Sequence, residues 1–141
     1  MRLMCAVLAL LALAGCSSFQ AAPGHGKTLP AERWLAYQQP VEGGGQILVA
    51  REFGLLGGGC YVALLVDRQV AARIGIGESV RLQVPAGRRV VGIGVDKQDD
   101  TLCGMGRLNR ELAVEVAPGE TSRLRIVSEA KNGFDIRPDT P

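Results

Sequence analysis

From residue 46 onward, this chain reads as a series of short strands, several of them alternating with period two, the mark of strands with one buried face. Ile47, Val49, Arg51 and Phe53 alternate with Leu48, Ala50 and Glu52. Residues 60–66 form a strongly β-forming run, Asp67-Arg68-Gln69 makes a turn, and residues 70–76 return. Val80, Leu82 and Val84 alternate with Arg81 and Gln83, and Pro85-Ala86-Gly87 turns the chain again. Val91, Ile93 and Val95 alternate with Val90, Gly92 and Gly94. Leu108, Leu112, Val114 and Val116 share one face, and Pro118-Gly119 leads to a strand carrying Leu124 and Ile126. A last short strand is expected near residues 134–136. Turn signals recur at roughly 8–12 residues with no long helical pattern between them. The expectation is a mainly β body over residues 41–141, an antiparallel β-sandwich of about 7–8 strands.

The first part of the chain has a different texture. Residues 3–14 are almost continuously apolar behind Met1 and Arg2. About a dozen apolar residues match the hydrophobic stretch of a signal peptide, whereas a helix spanning a bilayer needs roughly 20. The run is apolar all round and is followed by polar, glycine-containing chain, which argues against a buried helix of the folded body. Residues 16–29, with Pro23, Gly24 and Gly26, read as a flexible tether in which His25 is a solvated residue. Residues 30–40, bounded by Pro30 and Pro40, are expected to form a short helix or clasp with Trp34 and Leu35 on one face. Trp34 packs on the end of the body in one reading and is an exposed anchor for a partner in the other.

The leader ends in Leu13-Ala14-Gly15-Cys16, which resembles the lipobox of bacterial lipoproteins. The resemblance implies cleavage after residue 15 and lipidation of Cys16 as the first mature residue. Ala12-Leu13-Ala14 is a less fitting site for an ordinary signal peptidase. One acyl chain binds a membrane marginally, and two or more anchor stably. Ser17 stands where an aspartate retains many lipoproteins at the inner membrane. The expected location is therefore the outer membrane, lipid-anchored and facing the periplasm.

Export changes the meaning of the cysteines. Cys5 leaves with the leader and Cys16 carries lipid, so Cys60 and Cys103 remain as a pair in an oxidising compartment. They are expected to form a structural disulfide. Their wide spacing is unlike the C-x-x-C of a reactive dithiol, and too few other ligands accompany them for a metal site. The bridge would join two glycine-rich loops, Gly57-Gly58-Gly59-Cys60 and Cys103-Gly104-Met105-Gly106. Those glycines serve close backbone passage in one reading. In the other, Leu55, Leu56 and Met105 form a binding surface held by the scaffold.

Charge and composition remove several functional classes. Sixteen Lys and Arg against 14 Asp and Glu give a net charge of +2, without the clustered basic face that nucleic acid requires. Aromatic residues make up 4%, too few for a stacking platform. The lone histidine lies in the tether, away from any serine it would activate. Asp99-Asp100 are loop neighbours rather than facing carboxylates. No catalytic residue, cofactor or metal is expected.

Residues 64–71, 77–87 and the strand from Arg88 resemble the PEGA-like, immunoglobulin-like sandwich module of small bacterial lipoproteins, over roughly residues 46–128. Asp67-Arg68 stands where that pattern has Asp-Gly, and Pro85-Ala86-Gly87 keeps its Pro…Gly turn. The resemblance implies fold and brings no catalytic residues. The expected function is a non-enzymatic structural or protein-interaction role in the cell envelope, with the membrane and another envelope protein as partners. The alternative is a ligand- or metal-binding module using the loops around Cys60 and Cys103.

Overall fold

The computed structural model describes residues 27–54, 59–99 and 102–140. The expected signal helix, Cys16, His25, Leu55, Leu56 and Asp100 lie outside the described residues. The described chain runs β1 (Lys27–Thr28), a 3-10 turn (Ala31–Arg33), β2 (Gly45–Arg51), β3 (Val62–Val66), β4 (Gln69–Ile74), β5 (Glu78–Val84) and β6 (Gly87–Val95). A second 3-10 turn (Leu102–Met105) precedes β7 (Asn109–Val116), β8 (Thr121–Glu129) and β9 (Gly133–Pro138). One sheet has the order β1-β5-β2-β8-β9 and the other β4-β3-β6-β7. Strands β2 to β9 fall on the segments expected from the sequence. In β5 the period-two record arises because a strand with one face in the core repeats every second residue, while β3 is the continuous apolar run of residues 60–66. Ile47, Val49, Leu82, Leu124 and Ile126 from the first sheet share one hydrophobic cluster with Leu64, Ile74, Val91 and Ile93 from the second.

Three expectations are corrected. The pairing is not purely antiparallel: β1 with β5 and β2 with β8 are parallel. Alternation records which face a residue takes but not which strand lies beside it. Here the chain leaves β2 for β3 and β4 in the other sheet and returns as β5 on one side of β2. It crosses again through β6 and β7, and only then lays β8 on the other side, parallel to β2. The expected tether over 16–29 ends earlier, since Lys27 and Thr28 pair with Glu78 and Ser79 and Leu29 is buried. Of the short helix or clasp expected over residues 30–40, the helix is reduced to a 3-10 turn over Ala31–Arg33 and the rest runs as a clasp along the body. A segment this short does not nucleate a stable helix alone, and the edge of β4 takes its hydrogen bonds instead. Leu35 and Ala36 both donate to the Ala71 carbonyl, and Trp34 bridges to Ala72. Trp34 packs against the core with its indole N–H donating to the Ala36 carbonyl, whereas Leu35 is exposed.

The β3–β4 hairpin turns on Asp67 and Arg68, whose φ values of 48° and 66° are both positive. That is the sign pattern of a type I′ turn, the two-residue turn that matches strand twist. The Asp67 carboxylate secures it by accepting from the Val90 N–H and the Arg89 guanidinium, while the Asp67 N–H donates to the Val90 carbonyl. Arg68 has no such compensation. Its side chain is solvated and meets Glu111 at 3.4 Å, a contact of small value. Arg68→Gly is therefore expected to raise stability by about 0.5–1 kcal/mol by relieving left-handed strain, as read from urea unfolding midpoints.

Candidate functional site

Cys60, just before β3, and Cys103, in the second 3-10 turn, form a disulfide across 43 residues with Cα atoms 5.8 Å apart. The expected bridge is present, and both sulfurs are engaged in it. Cys60 is also held by a buried cation. Arg51 shares the face of Ile47 and Val49 and is 3% exposed, whereas Phe53, the next residue of that alternating set, is exposed. Its guanidinium donates to the carbonyls of Cys60 and Ile74 at 2.7 and 2.9 Å and lies over the Phe134 ring. Burial pulls it below its ordinary pKa, with the nearby Glu78 charge opposing. Arg51 thus closes the end of the core and ties the bridge to β4.

Beside the bridge, two guanidinium groups lie against the Tyr61 ring, Arg33 at 4.3 Å and Arg73 at 5.1 Å from its centroid. Each is also paired with a carboxylate. Arg33 makes two 2.6 Å hydrogen bonds to Glu78, one per oxygen, and donates to the Arg73 carbonyl. Glu78 accepts in addition from the Gly75 N–H at 2.7 Å. The Arg33 bonds hold the Glu78 carboxyl below the usual carboxylate range and raise Arg33 itself, against the opposing effect of burial. Arg73 makes a forked contact with Asp96, the closest bond being 2.7 Å, and is likewise raised. Asp96 also accepts from the Gln98 N–H, so this carboxylate fixes the start of the loop that carries Cys103.

Asp96, Lys97 and Gln98 at the start of that loop, with Gly106 and Arg107 after it, form one wall of a groove of about 580 Å³ on the outward face of the four-stranded sheet. Leu65 on β3, Val70 on β4 and Val90, Gly92 and Gly94 on β6 line its floor. Asp96, Lys97, Gln98 and Arg107 stand at the disulfide end, and Arg68 with Glu111 at the other. The volume lies within the range of small-molecule sites.

The expected loop surface fares differently by residue. Met105 is 78% exposed in the turn that holds Cys103 and does not line this groove. Leu55 and Leu56 lie outside the described residues, so the structure does not bring the three together. Among the described residues no three His, Cys, Asp or Glu side chains are grouped to hold a metal, and no helix is long and apolar enough to cross a membrane. Sequence reasoning missed the groove, the Tyr61 cluster and the Arg33–Glu78 pair. The groove alone left a local signal, the alternation of Gly92 and Gly94 with Val91, Ile93 and Val95. Comparison with known proteins finds no matching family model, no similar curated protein and no similar solved structure.

Proposed function

We propose that this chain is an exported lipoprotein of the bacterial outer membrane, whose body is a PEGA-like or immunoglobulin-like β-sandwich with a non-enzymatic binding or interaction role facing the periplasm. The observation that carries this reading is the Cys60–Cys103 bridge. Structural disulfides persist in oxidising compartments, which is where the Leu13-Ala14-Gly15-Cys16 leader would send the chain. One core shared by two sheets supports the sandwich assignment. A tether of ten residues from Ser17 to Gly26 would separate the anchor from β1. Fully extended, it would reach roughly 35 Å, enough for the body to stand clear of the bilayer surface.

The test is fractionation of cells expressing the full chain together with Cys16→Ser. The unaltered protein is expected in the outer-membrane fraction with an acylated mature N-terminus by intact mass. The variant is expected to lose acylation and leave that fraction. An unmodified, soluble protein carrying free thiols at Cys60 and Cys103 would overturn the reading. Crosslinking in cells is then expected to capture an envelope protein on the anchored form.

A further inference from the structure

We propose that the groove on the outward face of the four-stranded sheet binds a single-chain anionic amphiphile of the fatty-acid type. The alkyl chain would lie along β6 and the head group would meet Lys97 and Arg107. This goes beyond the envelope reading and does not depend on acylation of Cys16.

The floor is the first ground. Glycine inside a strand costs about 1 kcal/mol against a residue with a side chain, and it recurs where a ligand approaches closely. Gly94 does not need its glycine for backbone reasons, since its φ lies outside the left-handed region. Nor does packing forbid a side chain there. A Cβ at Gly94 would meet only the Leu108 carbonyl at 3.6 Å and a Leu65 methyl at 3.7 Å, both ordinary contacts. At Gly92 a Cβ would meet the Arg110 carbonyl at 3.2 Å, a tighter fit. The glycines therefore keep a trough open along β6 between the side chains of β3 and β7. From Val90 to Val95 that trough runs about 17 Å at the rise of a strand, the length of a medium alkyl chain.

The rim is the second ground. Four cations, Arg68, Arg73, Lys97 and Arg107, stand around the groove against two carboxylates, Asp96 and Glu111. Arg73 is matched by Asp96 and Arg68 meets Glu111. Among the described residues Lys97 and Arg107 lie within ion-pair distance of no carboxylate. Both belong to the disulfide end, so the excess positive charge is at one end of an apolar trough. An occupant with one anionic end and an apolar body is complementary to that distribution. A peptide strand suits it less well. The floor is the face of strands β3 and β6, each already hydrogen-bonded on both sides, and it offers no backbone ladder to extend.

The test is titration of the 15N-labelled full chain carrying Cys16→Ser, so that no acyl chain of its own competes. Dodecanoate below its micelle concentration is the probe, and dodecyltrimethylammonium is the cationic counterpart. Saturable shifts are expected at the amides of Gly92, Gly94 and Leu65, with dodecanoate bound at least tenfold more tightly than the cationic chain. Gly94→Leu is expected to weaken dodecanoate at least tenfold by filling the trough, with the same spectrum reporting the fold. Should that variant misfold, Gly94→Ala adds only the Cβ that fits and is expected to weaken binding a few-fold. Lys97→Glu with Arg107→Glu is expected to remove the preference for the anionic chain. The proposal fails if no saturable shift appears, or if the shifts cluster away from β6. It also fails if the two amphiphiles bind equally, if a folded Gly94 variant binds as before, or if the face proves to be covered by a second copy in a dimer.

Discussion

Replacing either Cys60 or Cys103 with serine is expected to lower the unfolding free energy by about 4 kcal/mol. The bridge closes a loop across 43 residues. On the chain-entropy account, cutting it restores to the unfolded chain the freedom that closure removed. For a body of this size the midpoint of thermal unfolding should fall by about 15 °C. The two single variants should be alike and the double variant little worse, because one bond is lost in all three. The local arrangement adds a second readout. Cys103 lies in the chain between Asp96–Gln98 and Arg107, which line the groove, so the same variants should increase amide exchange at Lys97, Gln98 and Arg107 while leaving β2 and β8 protected. Differential scanning calorimetry with and without reductant measures the first effect. A midpoint that moves by only a degree or two would show that the bridge does not constrain the fold.

Glu78→Gln is expected to cost about 2–3 kcal/mol at neutral pH. The Arg33 and Glu78 side chains are 10% and 13% exposed, and removing one charge leaves the other nearly buried. The figure is placed at or just under the lower end for broken buried pairs because Arg33 keeps its bond to the Arg73 carbonyl and its contact with Tyr61. The pH dependence follows from the direction of the Glu78 shift. Its carboxyl is held low in the folded protein by the two Arg33 bonds, assisted by the Gly75 N–H. A depressed carboxyl contributes its full stability above the unfolded value, about 4.3 for glutamate. That contribution is lost as pH falls through the folded value. The gap between wild type and Glu78→Gln should thus be constant from about pH 5 to 8 and narrow steadily below pH 4. Urea unfolding at pH 7 and at pH 3 measures it, and a gap that widens in acid would contradict the assignment.

The strands of this protein were legible in its sequence because their cause is local. Where a strand buries one face, as β5 does, burial at every second position leaves a period-two record such as Val80-Arg81-Leu82-Gln83-Val84, and β3 was legible instead as a continuous β-forming run. The turns were legible for a similar reason, since Pro85-Ala86-Gly87 and Pro118-Gly119 limit the backbone by themselves. Alternation put Arg51 and Phe53 on the face of Ile47 and Val49, but only the folded chain shows that Arg51 is buried there while Phe53 is exposed. The disulfide followed from elimination among four cysteines once export was inferred, and geometry then brought Cys60 and Cys103 within bonding distance.

Other features depend on residues that only the folded chain brings together. Lys27 and Thr28 carry too little pattern to announce a strand, and they become one because β5 offers a free edge. The parallel pairing of β2 with β8 is set by crossovers between the sheets, to which a count of alternating residues is blind. Arg33 and Glu78 are 45 residues apart, and Tyr61 joins Arg33 and Arg73 from a third segment. The groove shows both sides of this division. Its floor was written locally in Gly92 and Gly94, but a missing side chain acquires meaning only when β3 and β7 stand on either side of it and residues 96–98 with 106–107 stand at one end. Sequence alone determined most of the stretches that become strands and most of the apolar positions that face inward, because the drive to bury an apolar side chain is set at each residue by its own solubility. Tertiary structure decided which charges meet and where the surface stays open, because those depend on distances between segments that no local preference records.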